Sequence, residues 1–356
     1  MMSVMPIPKK TILIDARTIE YSGIGRYLKN LLDNFDKHGL FDFELLVNEK
    51  QNDLNGFTQH TTNILPYSLA EQTKLAGVIE ALSPELVHFA HFSRPWRRLT
   101  VPTITTIHDL TLLDYPAKEG FSLSSKIKQK SLKLGLKNIL KNDAAIITPS
   151  NFVRRQVTAL RPSAAAKITT TYLGFNKSPL SASEKPTQKP PKKFLLYVGN
   201  AYAHKNLGIL IAALRRDKDL HVIAVGDPKT GYDTYSHSRL HKLGRLSDGA
   251  LAYLYEHACA LVFPSKSEGF GLPGLEAMAH GCPVISSNAS CLPEIYARAA
   301  LYFDPNSVDD LLDQLTLLPD KRTELIKRGR ARVDQFSWKT TAKQTLAIYT
   351  EALERG

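Results

Sequence analysis

The sequence predicts an α/β protein of two Rossmann-like domains, each built on a doubly wound parallel sheet, and three observations lead to this. The chain has 356 residues, which is enough for two domains of ordinary size. Short apolar, β-rich runs alternate with helical patterns in both halves, as expected for parallel sheets made of βαβ units. A proline-rich stretch with little to bury, residues 176–193, separates the halves and is typical of a linker.

Each domain is expected to take its sheet from runs that read as buried strands. In the first half these are TILIDA, FELLVN, LVHFA, TITTIHD and AAIITPS, and in the second FLLYVGN, HVIAVGD, ALVFPS and PVISS. We expect an N-terminal domain over residues 1–175 and a C-terminal one over 194–339, facing each other across a cleft. The helical pattern at about 340–356 is expected to pack back onto the first domain. Ligands of such sheets bind at the carboxyl ends of the strands.

Composition narrows the class of protein. Three cysteines without metal-type spacing fit a reducing cytoplasm better than a disulfide framework. Because no apolar stretch is long enough for a signal peptide or a membrane span, we expect a cytoplasmic protein, at most peripheral on the inner membrane. The net charge is +12, and residues 126–141 hold six lysines and no acidic residue. Such a run could attract nucleic acid, acidic lipid or a phosphorylated substrate, or form a solvated helix face.

The stretch SEGFGLPGLEAMAHG carries two glutamates across a predicted strand-to-helix junction. Gly269 and Gly271 permit unusual backbone shapes and a close approach of main-chain N–H groups to a ligand. Pro273 suits the first turn of a helix, so Glu276 would lie one turn inside it while Glu268 approaches from the loop. A carboxylate accepts hydrogen bonds from neighbouring hydroxyls, and a helix N-terminus favours an anion. The pattern therefore predicts a pocket for a diphosphate sugar.

This motif and several further segments resemble the retaining glycosyltransferases of family 4, which have the GT-B fold. The two glutamates stand at the E-x7-E spacing of that family. YVGNAYAHKNL is similar to its strand and loop that end in a basic residue followed by Asn, and LGRLSDGALAYLYEHACALVFPS to the segment before the glutamates. SGIGRY matches the glycine loop of the first domain, TIHDL its His-Asp pair, and FSW the end of the pattern. The resemblance covers nearly the whole chain.

The resemblance implies a role for each matching residue of the second domain. Glu276 would hold the ribose of a nucleotide sugar, Glu268 would contact the transferred sugar, and Lys205 would neutralise the departing diphosphate. Glu268 and Lys205 are thus predicted catalytic residues. The family often has arginine near Lys205, where this chain has other residues, and Arg245 is a candidate substitute. The predicted donor contacts in this domain are Asn200, Lys205, Arg245, Glu268, Gly269, Phe270, Gly271, Leu272 and Glu276, with the amides of Phe270 and Gly271 beside the sugar.

In the first domain the resemblance assigns Gly23 and Gly25 to a loop that closes on the donor diphosphate and the acceptor. Ser22 replaces a glycine of the usual family form and would add a hydroxyl contact to the acceptor. His108, at the end of TITTIHD, matches the family's histidine near the anomeric centre of the donor. It is the third predicted catalytic residue.

Fewer sequence features predict the residues that contact the acceptor. Asp109 would orient its loop beside the acceptor. FAHFSRPWRRL adds Arg94 and Trp96 as acceptor contacts, because aromatic faces stack on sugars and arginines bind phosphates. Together with the lysines of 126–141, these residues predict a lipid-linked or anionic polysaccharide acceptor at the inner membrane surface. The alternative is a basic loop with a buried tryptophan.

The predicted chemistry needs no metal. Lys205, backbone N–H groups and helix N-termini would stabilise the departing diphosphate, so we expect no metal and no cofactor, with the nucleotide-diphosphate sugar as co-substrate. DKD, at 217–219, has the form of a metal motif but stands in a charged turn at the wrong end of a strand. Since no second carboxylate is placed as a covalent nucleophile, we expect retention by front-face attack.

The sequence therefore favours a hexosyltransferase of bacterial surface polysaccharide or lipopolysaccharide synthesis. SGIGRY with TIHDL most resembles members that transfer mannose, which makes GDP-mannose the first expected donor. UDP-glucose, UDP-galactose and a dTDP-deoxysugar stay open as donors, and so do a sugar-nucleotide epimerase and a glycoside phosphorylase on the same fold. A nucleic-acid binder is disfavoured, because the chain has no recognised module for it and the glutamate motif would be unexplained.

Overall fold

A computed structural model describes residues 9–36, 39–115, 123–175 and 184–355. The chain divides into two compact units. The first contains the described residues of Met1–Leu113, Gly120–Gly174 and Trp338–Gly356, and the second those of Asp114–Glu119 and Phe175–Ser337. The predicted linker lies partly outside the described residues, and its described part, 184–193, contains no helix or strand.

The first unit is built on a seven-stranded sheet whose strand pairs are all parallel. In chain order the strands are β1 (Lys10–Asp15), β2 (Phe41–Val47), β3 (Thr58–Thr61), β4 (Leu86–Phe89), β5 (Thr103–Thr106), β6 (Ala145–Thr148) and β7 (Ile168–Thr170). Across the sheet they run β3-β2-β1-β4-β5-β6-β7. This order reverses between β1 and β4, which is the switch point of a Rossmann-like fold.

The second unit repeats the pattern with six parallel strands. They are β8 (Leu195–Val198), β9 (Val222–Val225), β10 (Leu240–Gly244), β11 (Ala260–Phe263), β12 (Val284–Ser287) and β13 (Ala300–Phe303). Their order, β10-β9-β8-β11-β12-β13, puts the switch point between β8 and β11. The predicted fold class, two Rossmann-like domains on doubly wound parallel sheets, is confirmed.

Helices connect the strands of both sheets. Those of the first unit are α1 (Ser22–Asp33), α2 (Leu69–Thr73), α3 (Leu75–Ala81), α4 (Thr111–Asp114), whose last residue belongs to the second unit, α5 (Leu123–Asn142), α6 (Asn151–Leu160) and the terminal α12 (Trp338–Arg355). Those of the second unit are α7 (Leu207–Arg216), α8 (Asp248–His257), α9 (Leu272–Ala279), α10 (Leu292–Tyr296) and α11 (Val308–Val333).

The nine predicted strands all form, and the four strands that the sequence did not reveal are β3, β7, β10 and β13. These four are the outer strands of the two sheets. β3, for example, is TQHT, and each of its residues is at least partly exposed. Strands that are covered on both faces are mostly apolar, whereas an outer strand need not be, so it carries no continuous apolar signal.

The terminal helix α12 is joined to the first unit by a buried polar chain. The Tyr349 hydroxyl hydrogen-bonds Nδ1 of His88 at 2.6 Å, and Nε2 of His88 hydrogen-bonds Oγ1 of Thr106 at 2.8 Å. Thr106 continues to the Tyr27 hydroxyl at 3.1 Å. Tyr349, His88 and Tyr27 are almost fully buried. Loss of one member would leave a buried partner unsatisfied, which costs about 1–3 kcal/mol.

We expect the protein to lose stability on acidification because of His88. Burial, and secondarily the nearby His108, lowers the pKa of His88 from 6.5 to about 3. Below pH 6.5 the unfolded chain takes up a proton at this position and the folded protein does not, so the free energy of unfolding falls. By linkage the loss reaches about 2 kcal/mol between pH 7 and pH 5.

Urea unfolding at pH 7 and pH 5 would measure this loss. A His88→Gln variant should lose about 2 kcal/mol less than wild type between the two pH values, whatever its absolute stability. His257→Gln, the same change at an exposed position, serves as the control. Equal pH slopes in wild type and His88→Gln would contradict a neutral buried His88.

Candidate active site

The loop between β8 and α7 presents Lys205, and Asn206 fixes its path. Asn206 adopts the left-handed backbone region, with φ at +58°, which asparagine tolerates better than most residues. Its side-chain amide donates hydrogen bonds to the carbonyl oxygens of Pro264 at 3.1 Å and Pro305 at 2.7 Å. Asn206 thus ties the loop after β8 to the ends of β11 and β13, and Lys205 directly precedes this anchor.

Lys205 and Glu268 form an ion pair. The ammonium donates to Oε1 of Glu268 at 2.7 Å, and both side chains are largely covered. The backbone reinforces the approach of the two loops, since the N–H of Lys266 donates to the carbonyl of His204 at 2.7 Å. The structure therefore brings together two of the three predicted catalytic residues, at the carboxyl ends of the neighbouring strands β8 and β11.

Helix α9 begins at the glycine-rich turn after Glu268. Gly271 is its N-cap, with φ at +94°, a region that favours glycine. The Tyr296 hydroxyl donates to the Gly271 carbonyl at 2.6 Å, and a β-carbon at Gly271 would collide with this side chain. Phe270 is buried, with its ring edge-on to Phe336 at 5.4 Å between centroids. The side chain of Phe270 thus faces the interior, while Gly269 is buried and Leu272 is half-buried.

Glu276 lies one turn inside α9, as predicted, and is buried with 7% of its surface exposed. Its Oε2 accepts a hydrogen bond from the Tyr255 hydroxyl at 2.9 Å. Tyr255 stands on α8 and is fully buried, so it holds the carboxylate in one orientation. A buried carboxylate needs such partners, because desolvation of the charged form is costly.

The other two predicted donor contacts differ in setting. Asn200 is half-buried after β8, and its carbonyl accepts from the Tyr197 hydroxyl at 2.5 Å. Arg245 is highly exposed and pairs with Asp227 at 2.8 Å, beyond the outer strand β10. The pKa of Asp227 is lowered by a backbone hydrogen bond from Lys229 and by Arg245. Arg245 is therefore engaged in a surface ion pair.

The first-unit segment SGIG is the first turn of helix α1, not the glycine loop that the sequence predicted. Gly25 packs against the backbone carbonyl of Ile19, and a β-carbon at Gly25 would collide with that carbonyl oxygen. Gly23 is exposed and faces open space, with no heavy atom within 4 Å of a β-carbon position. Ser22 opens the helix. The prediction of a loop is corrected: the segment is helical, Gly25 packs against the Ile19 carbonyl, and the space beside Gly23 is open.

His108 and Asp109 lie in the loop after β5, two and three residues beyond its end. Nε2 of His108 hydrogen-bonds the Ala90 carbonyl at 2.9 Å, and the Tyr27 ring stands edge-on to the imidazole at 4.9 Å. Burial lowers the pKa of His108, against the opposing effects of Asp109 and the Ala90 carbonyl, so the ring is neutral. Because a carbonyl only accepts, Nε2 carries the proton and Nδ1 keeps its lone pair. Asp109 accepts from the N–H of Thr111 at 2.8 Å, which orients the loop.

Arg94 and Trp96 differ in solvent exposure. Arg94 is buried and its guanidinium pairs with the buried Asp143, so it does not face an acceptor as the sequence predicted. A buried arginine requires such a partner. Trp96 is 40% exposed rather than buried, which excludes the alternative of a buried tryptophan. The Asn138 side chain donates to the Trp96 carbonyl at 2.8 Å, which fixes the segment to α5.

Within the described part of the chain, no three His, Cys, Asp or Glu side chains are grouped so that they could hold a metal ion. The DKD sequence forms the turn after α7, where Asp217 accepts from the N–H of Asp219 at 2.9 Å. No described helix is long and apolar enough to cross a membrane.

Three residues that the sequence did not single out build the second-unit site: Asn206, Tyr255 and Tyr296. Asn206 had a signal, since it follows Lys205 in a recognised pattern. The two tyrosines had none, because they lie 21 residues before Glu276 and 25 after Gly271. Only the folded chain brings them to α9.

With this geometry in hand, comparison with known proteins defines the class. Residues 21–178 match the family model described as Glycosyltransferase Family 4, and residues 181–332 match the model described as Glycosyl transferases group 1. The chain therefore belongs to the glycosyltransferases, with a family 4 domain followed by a group 1 domain. The resemblance drawn from the sequence motifs is confirmed.

Among its relatives, the chain is similar to O-antigen chain mannosyltransferase B of Escherichia coli, with 29% identity over 80% of this chain and 78% of that protein. It is 28% identical to O-antigen chain mannosyltransferase RfbU of Salmonella typhimurium, over 74% of each.

Among solved structures it resembles sucrose-phosphate synthase from Thermosynechococcus elongatus, with a TM-score of 0.78, 18% identity and coverage of 98% of this chain and 100% of that one. It also resembles Anabaena HepE in complex with UDP-glucose, with a TM-score of 0.69, 16% identity and coverage of 96% and 99%. These neighbours share the GT-B fold.

The two glycines of SGIG should respond differently to alanine. Gly25→Ala would force the Ile19 carbonyl aside and should destabilise the first unit by about 1–3 kcal/mol, the usual cost of overpacking. Gly23→Ala meets open space and should change stability by less than about 0.5 kcal/mol. Thermal unfolding of the two variants measures the difference, and equal stability losses would contradict these separate roles.

Proposed function

We propose that this glycosyltransferase moves a hexose from a nucleotide-diphosphate sugar, with GDP-mannose as the first candidate, to a glycan or lipid-linked acceptor of bacterial surface polysaccharide. The transfer proceeds with retention and without a metal ion or cofactor. The observation that carries the proposal is the ion pair of Lys205 and Glu268 at the carboxyl edge of the second sheet. It sets a cation for a diphosphate beside a carboxylate for sugar hydroxyls.

The surrounding residues support a donor of this class. The N-terminus of α9 suits a diphosphate, because the dipole of a helix favours an anion there, and Tyr255 holds the Glu276 carboxylate for a ribose diol. HepE, a fold neighbour, was solved with UDP and with UDP-glucose. The relatives named as mannosyltransferases favour mannose, and GDP-mannose follows as the donor. UDP-hexoses and dTDP-deoxysugars are the alternative donors.

The proposed step breaks the bond between the anomeric carbon and the β-phosphate oxygen. The acceptor hydroxyl forms the new bond on the same face, and its proton passes to the departing phosphate. Lys205 stabilises the developing charge on the phosphate, and Glu268 positions the transferred hexose. Before the donor binds, the two side chains neutralise each other; a bound diphosphate gives Lys205 a second anionic partner. The role of His108 as third catalytic residue rests on the family resemblance and its neutral, proton-accepting Nδ1.

This function can be tested by assaying wild type with a panel of nucleotide sugars and by measuring the kinetics of variants of Glu268 and Glu276. We expect release of nucleoside diphosphate from GDP-mannose, unaffected by EDTA. Glu276→Gln should raise the donor KM by about 10–100-fold, since a charge-assisted hydrogen bond contributes about 1.5–3 kcal/mol. Glu268→Gln should lower kcat by about 100-fold or more with a smaller effect on donor binding.

Glu256→Gln, an exposed change in the same unit, is the matched control and should leave both constants as they are. Inactivity with every donor, or near wild-type kinetics in both glutamate variants, would contradict the proposal. NMR of the product's anomeric configuration decides retention, and loss of activity in EDTA would overturn metal independence.

We also propose that the enzyme works at an anionic membrane surface through helix α5. Lys130, Lys133, Lys137 and Lys141 recur at helical spacing on α5, and all four are exposed. Leu134, also on α5, and Trp96, which packs close to Gly135, are exposed at 47% and 40%. Exposed apolar and aromatic side chains among lysines are typical of an interfacial surface. The localisation that goes with this proposal is the cytoplasm, with the protein peripheral to the inner membrane.

Charge reversal on α5 tests the membrane contact. Each lysine near an anionic surface contributes about 1 kcal/mol, so Lys133→Glu with Lys137→Glu should weaken binding to phosphatidylglycerol vesicles by 30-fold or more. Lys321→Glu with Lys327→Glu, on α11, is the matched control. Vesicle sedimentation measures both, and equal binding of the two double variants would exclude α5 as the contact.

A further inference from the structure

Tyr67 occupies a backbone conformation that its side chain disfavours. Its φ is +62°, in the left-handed region that glycine and asparagine adopt most readily. A bulky residue there costs on the order of 1–3 kcal/mol and is kept only where the surroundings determine it. Yet the residue is 54% exposed, so burial of Tyr67 does not offset that cost.

A buried polar cluster imposes this conformation. The N–H of Tyr67 donates to Oε2 of Glu71 at 3.2 Å and to Oγ of Ser93 at 3.0 Å. Glu71 is almost fully buried and also accepts from Arg17 at 2.9 Å. The Tyr67 hydroxyl hydrogen-bonds Nδ1 of His91 at 2.9 Å. Both ends of the residue are thus fixed, and the ring is rigid.

The ring stands at the carboxyl edge of the first sheet, close to the proposed catalytic histidine. The segment after β4 connects the two: His108 bonds the carbonyl of Ala90, and Tyr67 bonds the adjacent His91. Asp109 lies within electrostatic reach of Tyr67. After burial, its charge, with those of Tyr21 and Glu71, contributes to raising the pKa of the Tyr67 hydroxyl. An exposed aromatic face, a carboxylate and an imidazole therefore share one edge.

We propose that the exposed ring of Tyr67 is the stacking platform for the pyranose of the acceptor that receives the transferred hexose. The inference rests on the proposed function, since it names the group that recognises the acceptor. The C–H bonds on one face of a pyranose present weak positive charge, which matches the negative face of an aromatic ring. A ring that is already fixed loses little conformational entropy on binding, so the cost of ordering falls on the sugar alone.

A purely structural role for Tyr67 is less consistent with these contacts. The hydrogen bonds to Glu71 and Ser93 come from the backbone N–H, which glycine or asparagine would also provide without the strain. The side chain adds a hydrogen bond to His91 and edge contacts to the rings of His91 and Phe92, at 5.7 and 6.4 Å between ring centroids. None of these contacts requires more than half of the residue to face solvent.

Saturation-transfer NMR with methyl α-D-mannopyranoside tests the proposal on the full chain. Tyr67→Gly removes the ring and relieves the backbone strain, so the variant should fold, which thermal unfolding checks. It should weaken mannoside binding at least fivefold. Tyr67→Phe keeps the ring and loses the hydroxyl, and it should bind within about threefold of wild type. In transfer assays with p-nitrophenyl α-D-mannopyranoside, Tyr67→Gly should raise the acceptor KM, while GDP binding stays as in wild type.

Glu268→Gln separates the acceptor platform from the donor pocket. Mannoside binding that persists in Tyr67→Gly, or that is absent in wild type, overturns the inference. A signal that Glu268→Gln removes and Tyr67→Gly leaves intact belongs to the donor sugar and also overturns it. Binding that depends on Tyr67, in a protein that releases nucleotide from no donor, would instead refute the proposed function while supporting the sugar platform.

Discussion

In a parallel sheet every strand ends at the same edge, and this constraint decides where the candidate functional groups of both units lie. The loops after β8 and β11 follow neighbouring strands at a switch point, so Lys205 and Glu268 meet at 2.7 Å although 63 positions separate them. The same geometry in the first unit gathers Tyr67, His91 and His108 at the ends of β3, β4 and β5. Candidate functional groups lie at these edges because the topology exposes the loops there, and not the strands, to ligands.

The edges also carry backbone strain and buried polar groups, which the rest of the fold must stabilise. Tyr67, Asn206 and Gly271 have positive φ, and each is held by hydrogen bonds that reach another element. The buried carboxylate of Glu276 depends on Tyr255 in the same way. These three departures from regular geometry thus lie where ligands are expected, beyond the ends of the strands. Such local costs are common at functional sites and are offset elsewhere in the structure.

Charged residues near these edges have two different roles, and the extent of their burial distinguishes the two groups. Arg94, which the sequence predicts as an acceptor contact, is buried against Asp143, and Arg17 is likewise buried against Asp15. A charge removed from water needs a partner, so these pairs organise the scaffold. Lys205 differs because its partner Glu268 stands in the glycine-rich turn before α9 and both keep some access to solvent. On α5, Lys130, Lys133, Lys137 and Lys141 are exposed and belong to the surface.

The sequence alone determined the fold class, the nine inner strands and the glutamate pair, because continuous apolar runs and the E-x7-E spacing are local signals. It did not determine the four outer strands. These strands mix polar and apolar residues because an outer strand has a neighbouring strand on one side only. Nor did it distinguish Gly25 from Gly23 or Arg94 from Trp96, since Ile19 and Asp143 decide those roles by packing. Tertiary structure alone brought Tyr255 to Glu276 and Tyr67 to His91. Contacts between distant segments depend on how the sheets are ordered, and that order leaves no trace in any single stretch of the chain.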